Sequence, residues 1–160
     1  MIQKKGPIPS GLWVVIMTIV VTAAVTGCAG SQTADKMKPN ERFAPCPNTP
    51  NCISSEAQDP RHAVAPMQLA GNSEREWDEI RAVVAALPRS RILGATESYL
   101  HATLKSRLFG FIDDLELKLD PQTKMIGIRS ASRSGSYDLG VNRRRVENLR
   151  KQLKAAALIR

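Results

Sequence analysis

The segment DDLELKLDPQTKMIGIRSASR, residues 113–133, constrains the fold of this chain more than any other. Leu115, Leu117 and Leu119 alternate with Asp114, Glu116 and Lys118, the period of a strand with one apolar and one polar face. Asp120, Pro121, Gln122 and Thr123 then form a turn signal, so the runs 111–119 and 124–133 are predicted to pair as an antiparallel hairpin. If Leu117 and Leu119 share a core face with Ile126 and Ile128, the same alternation gathers Asp114, Glu116, Arg129 and Arg133 on the opposite face.

Two further strand-like runs, 91–97 and 99–109, precede this hairpin, with Gly110 dividing the second from the third. A helix is expected before them. Ser73, Glu74, Arg75 and Glu76 read as a capping box, Trp77, Ile80, Val83, Val84 and Leu87 share one helical face, and Pro88 ends it. A last helix is predicted over 143–158, with Val146, Leu149, Leu153 and Ala157 inward, Asn142 as N-cap and a hydrophobic staple between Val141 and Val146. The order helix, four strands, helix predicts an α+β domain: a four-stranded antiparallel sheet with an N-terminal and a C-terminal helix on one face. Residues 56–72, broken by Pro60 and Pro66, read as irregular.

The N-terminus belongs to a different class of sequence. Lys4 and Lys5 precede an almost unbroken apolar run over 12–25, short for a spanning helix, which needs roughly 20 residues. The run ends in Val25, Thr26, Gly27 and Cys28, a quartet that resembles the lipobox of bacterial lipoproteins. The resemblance implies a signal peptide over 1–27, cleavage before Cys28 and a diacylglycerol on its thiol. Residues 28–42 are then a polar, lipidated tether, and 43–160 a single domain that opens on a cysteine loop. The implied location is the cell envelope, anchored by lipid and facing the periplasm. By analogy with such lipoproteins, Ala29 after the cysteine permits sorting to the outer membrane.

That compartment decides how CPNTPNC, residues 46–52, is read. Beyond the inner membrane two remaining cysteines favour a disulfide, so Cys46 and Cys52 read as a staple closing a small loop. Zinc is the weaker alternative, because two thiolates do not complete a tetrahedral site and His62 and His101 lack ligand-like spacing. A redox pair is the other; it would more typically be Cys-x-x-Cys at a helix start, which Pro47 and Pro50 oppose. No metal or cofactor is expected.

The charged residues raise the functional question. Carboxylates at Asp114 and Glu116 face guanidiniums at Arg129 and Arg133 across the predicted hairpin, with Asp113 beside them in sequence, while Arg143, Arg144 and Arg145 open the last helix, where the macrodipole disfavours cations. Something negative should offset them: Asp113, Asp114 or Asp138 within the chain, or a bound phosphate or carboxylate from outside. Arg145 is the best placed to turn inward. His101 reads as a structural residue, and Ser130, Ser132, Ser134 and Ser136 as hydroxyl-rich strand-end and turn positions rather than nucleophiles.

CPNTPNCISS, SRLFGFIDDLELKLD and RSASRSGSYDLGVNRRRVENLR together resemble the domain-of-unknown-function family 1499, found in exported bacterial and plastid-associated plant proteins. The resemblance runs from Cys46 to Leu153 and implies that Cys46, Cys52, Asp113, Asp114, Arg129, Arg133, Asp138, Asn142 and Arg145 are motif positions. It implies no activity.

Two functions are consistent with these residues. The first is a non-catalytic, lipid-anchored envelope module, binding or structural, whose partners are the membrane, an anionic ligand or an envelope protein. Loss of residues 1–27 takes Lys4 and Lys5 from the formal +8 and leaves +6, which favours anionic surfaces. The alternative is an enzyme using Asp113 and Asp114 as acid or base, with Arg129 and Arg133 holding an anionic substrate. No nucleophile–base pair or glycine-rich phosphate loop accompanies those carboxylates. Nucleic acid is a poor partner for an exported chain with 4% aromatic residues.

Overall fold

The computed structural model describes residues 42–71, 73–106 and 110–160, without the Ser73 side chain. The expected signal peptide, Cys28 and the expected tether up to Glu41 lie outside the described residues, as do the serine half of the expected capping box and the last three residues of the second expected strand. Among the described residues no helix is long and apolar enough to cross a membrane.

Four strands run as a consecutive antiparallel meander: β3 (Ser90–Ala95), β4 (Tyr99–Lys105), β5 (Ile112–Asp120) and β6 (Met125–Ser132). In the central hairpin Leu117 lies opposite Ile128 and Leu119 opposite Ile126, the register set by placing leucines and isoleucines on one face. The turn closes because Asp120 Oδ1 accepts the amides of Gln122 (2.9 Å) and Thr123 (3.3 Å).

The sheet nevertheless has six strands rather than four. β1 (Cys52–Ser54) and β2 (Met67–Gln68) both pair antiparallel with the outer edge of β6. Neither is long enough to show a period, so both fall inside stretches that read as a cysteine loop and an irregular segment. They cover the backbone groups that β6 would otherwise leave open at the sheet edge.

Helix α1 (Ser73–Ala85) and helix α2 (Val141–Ala155) share one core cluster with the apolar face of the sheet. Trp77, Ile80 and Val84 from α1 and Val146, Leu149 and Leu153 from α2 meet Leu100, Leu115, Leu117, Ile126 and Ile128, all essentially without exposed surface. The Trp77 indole donates to the Thr96 carbonyl (3.2 Å), so its polar edge is satisfied inside the core.

Both ends of α2 differ from expectation. Its N-cap is Gly140, at φ 73°, a left-handed conformation that glycine adopts without strain, and Asn142 sits inside the first turn with no exposed surface. Val141 is therefore helical and exposed rather than stapled to Val146. The C-terminus stops three residues early. Ala157 takes φ 55°, its amide donates to the Lys154 carbonyl, and the Leu158 amide donates to the Leu153 carbonyl, which together form a Schellman cap. Ala157 is consequently exposed rather than inward, and the reversal sends Leu158 and Ile159 into the core.

Candidate functional site

Strand alternation divides the charged residues into two sets on opposite sides of the sheet. On the face away from the helices, Asp114 takes a two-pronged contact from Arg133, whose Nε and Nη2 lie 2.9 and 2.8 Å from Oδ2 and Oδ1. His101 Nε2 donates to the same Asp114 Oδ1 at 2.7 Å. One strand step along, Glu116 accepts from the Tyr99 hydroxyl and from Arg129 Nη1, each at 2.7 Å. A further step brings Lys118 to Glu56 Oε1 at 2.8 Å, while Glu56 Oε2 accepts the Phe43 amide at 3.0 Å. Phe43 then lies over Gly127, where a Cβ would stand 3.1 Å from its ring, so a side chain at 127 would push that ring away.

This ladder is half covered, and its electrostatics follow from that. Burial pushes the Asp114 carboxyl up, but hydrogen bonds from His101 and Arg133 and the Arg133 charge outweigh it and hold it at about 2. The same contact raises Arg133. Burial, reinforced by the hydrogen bond to Glu116, pushes the Tyr99 hydroxyl far above its ordinary value, so it stays protonated and donates.

The second set lies on the helix side. Asp113 shares the core face with Leu115, is 3% exposed, and meets Arg145 Nη2 at 2.5 Å. Arg145 Nη1 also donates to Asn142 Oδ1 and to Ser130 Oγ (3.1 Å), and the Ser130 hydroxyl donates to Asn142 Oδ1 (2.6 Å). The Asn142 amide nitrogen faces the Asn51 carbonyl (3.0 Å), Ser132 Oγ (3.1 Å) and Asp138 Oδ2 (2.8 Å). Asp138 also accepts the backbone amides of Gly140 and Asn142, both at 2.8 Å, and so performs the capping that Asn142 was expected to provide. Asn51 Nδ2 reaches the Gly135 carbonyl. One polar network thus joins the cysteine loop, the ends of β5 and β6, the 135–140 turn and the first turn of α2.

The three consecutive arginines reach different acceptors, none shared between two of them. Arg143 donates to the carbonyls of Arg61 and Ala63, each at 3.0 Å, Arg144 to the Leu139 carbonyl at 2.7 Å, and Arg145 to Asp113. Asp138 supplies negative charge at the helix start. The disulfide Cys46–Cys52 is formed, with its Cα atoms 5.5 Å apart, and fixes the loop that carries Asn51.

Sequence reasoning did not single out Asn51, Tyr99 or the Lys118–Glu56 pair, and read Ser130 and Ser132 as strand-end and turn hydroxyls without assigning them buried partners. A signal was present for the serines. They continue the core-facing series of Ile126 and Ile128, just as Asp113 precedes Leu115 on that face, and polar groups at core positions require buried partners.

Two clefts, of about 430 and 400 Å³, lie apart from Asp113, Asp114, Arg129, Arg133 and Arg145. Phe43, Cys46, Ser54 and His62 help to line the first; Glu74, Trp77, Asp78, Arg81 and Glu97 line the second. Among the described residues no group of His, Cys, Asp and Glu is arranged to hold a metal ion. Every carboxylate of the two sets is engaged by a guanidinium, ammonium, imidazole, hydroxyl or amide group.

A family model described as "Protein of unknown function (DUF1499)" matches residues 42–153, from the start of the described chain to near the end of α2. No curated protein matches the chain.

Proposed function

This chain belongs to the DUF1499 family, and on that premise we propose that it is a lipid-anchored cell-envelope protein whose domain is a non-catalytic module. Its Asp/Arg residues act as architecture, holding a rigid domain that faces the periplasm, with the outer membrane as the anchoring surface and an anionic ligand or envelope protein as the partner class. The observation that carries the non-catalytic reading is mutual pairing: Asp113 with Arg145, Asp114 with Arg133 and His101, Glu116 with Arg129 and Tyr99. A carboxylate acting on an anionic substrate would first have to leave these partners.

The Cys46–Cys52 disulfide supports the exported location, since such bonds persist in oxidising compartments. The VTGC quartet supports the anchor. Metabolic labelling with a palmitate analogue, followed by separation of inner and outer membranes, tests this reading. Label is expected on the wild-type chain in the outer-membrane fraction and absent from Cys28→Ala; label retained by the variant would overturn the anchor.

A further inference from the structure

Among the described residues, five of the six large apolar side chains that remain exposed belong to two adjoining connections: Phe111 and Ile112 where β5 begins, and Tyr137, Leu139 and Val141 around the entry to α2. Tyr137 and Leu139 are the most exposed, at 69% and 70%. The two connections meet at one end of the domain. The Arg133 amide donates to the Ile112 carbonyl (3.0 Å), and Arg145 ties the first turn of α2 to Asp113, next to Ile112.

Cations accompany this apolar end. Lys105, which lies opposite Ile112 in the sheet, is exposed, as are Arg133, Arg143 and Arg144. The nearby carboxylates are committed: Asp113 to Arg145, Asp114 to Arg133 and His101, Asp138 to the Gly140 and Asn142 amides. Arg143 and Arg144 bond only to neutral carbonyls among the contacts described, so the end carries net positive charge. Apolar tips beside basic groups fit a bilayer interface, where tips enter the acyl boundary and cations meet anionic headgroups.

We propose that this end of the domain docks on an anionic bilayer surface through Ile112, Tyr137, Leu139 and Val141, flanked by Lys105 and Arg144, as a second membrane contact. The proposal draws on the anchored reading only for proximity. Arg42 lies fourteen residue steps beyond Cys28, a reach of up to about 50 Å, which exceeds the ~35 Å breadth of a domain this size. A tether of that length lets any face turn to the bilayer, and the chemistry of this end selects which face does.

The test reconstitutes the full chain into phosphatidylcholine vesicles, with and without phosphatidylglycerol, carrying lipids brominated along their acyl chains. Leu139→Trp and Tyr137→Trp report on the proposed contact. Lys151→Trp, exposed on α2 and about 15 Å along the helix from Val141, reports on its surroundings. Reconstitution puts the domain at a bilayer whether Cys28 is lipidated or not, so failure here is distinguishable from failure of the anchor.

The expected result is quenching at positions 139 and 137 at least about twofold above that at 151 in anionic vesicles, falling to the level of 151 at about 1 M salt, where the screening length is about 3 Å. Equal quenching at all three positions in anionic vesicles would overturn the proposal, as would quenching indifferent to phosphatidylglycerol. Protection of this end from hydrogen exchange in whole envelopes but not in protein-free vesicles would assign it to a protein partner and overturn it as well.

Discussion

Asn142 has no exposed surface and both ends of its amide are engaged, its oxygen by Ser130 and Arg145 and its nitrogen by Asn51, Ser132 and Asp138. Its type was visible in the sequence as a cap, but its partners come from the cysteine loop, the end of β6 and the 135–140 turn, which no local pattern relates. Asp114, by contrast, was placed by period two alone on a polar face shared with Glu116, Arg129 and Arg133, and the structure pairs it with Arg133. Its carboxyl is held at about 2 against 3.8 for the free group. Because the folded value is depressed, the unfolded chain binds more protons between these values. The stabilisation is therefore fully present above about pH 4 and is lost as pH falls through about 2, amounting to about 2 kcal/mol. Denaturant unfolding of wild type and Asp114→Asn at pH 5 and pH 2 should show the stability gap narrowing by that amount. A gap that stays constant would contradict the assignment.

At the scale of elements, the meander was legible wherever a strand was long enough to alternate, as in β5 and β6. It was illegible in β1 and β2, three and two residues long, whose strand character comes from the open edge of β6 rather than from their own residues. Helix α2 was legible in its core face and misread at both ends, because Gly140 and Ala157 adopt left-handed conformations that end the helix by backbone geometry. Ala157 is the instructive one. An alanine at φ 55° carries a Cβ strain of about 1 kcal/mol or more that glycine avoids. Ala157→Gly should accordingly raise the stability of the domain by up to about 1 kcal/mol, offset in part by the freedom glycine adds to the unfolded chain. A loss of stability, measured by urea unfolding, would mean that the Ala157 methyl makes a contact worth more than the strain.

For the whole molecule, the segments that carry the family resemblance converge. CPNTPNC supplies Asn51, the start of β5 supplies Asp113, and the stretch from β6 into α2 supplies Ser130, Ser132, Asp138, Asn142 and Arg145. Sequence reasoning listed most of these side chains but did not carry the alternation of the leucines and isoleucines on to Asp113, Ser130 and Ser132, which separates the buried set from the outer ladder. The proposed architectural role of the charged residues turns on the buried pair. Asp113 and Arg145 keep only 4% and 12% of their side-chain surface, so removing one partner leaves the other charge uncompensated inside the protein. The most direct test is a double-mutant cycle of Asp113→Asn and Arg145→Gln, read by unfolding with and without phosphate and followed through the buried Trp77. Each single change should cost about 3–5 kcal/mol, and the double should cost less than their sum by at least about 1 kcal/mol, with phosphate altering none of the four values. Additive costs, together with a phosphate stabilisation of the wild type that Arg145→Gln abolishes, would contradict the account and make Arg145 a ligand-binding residue.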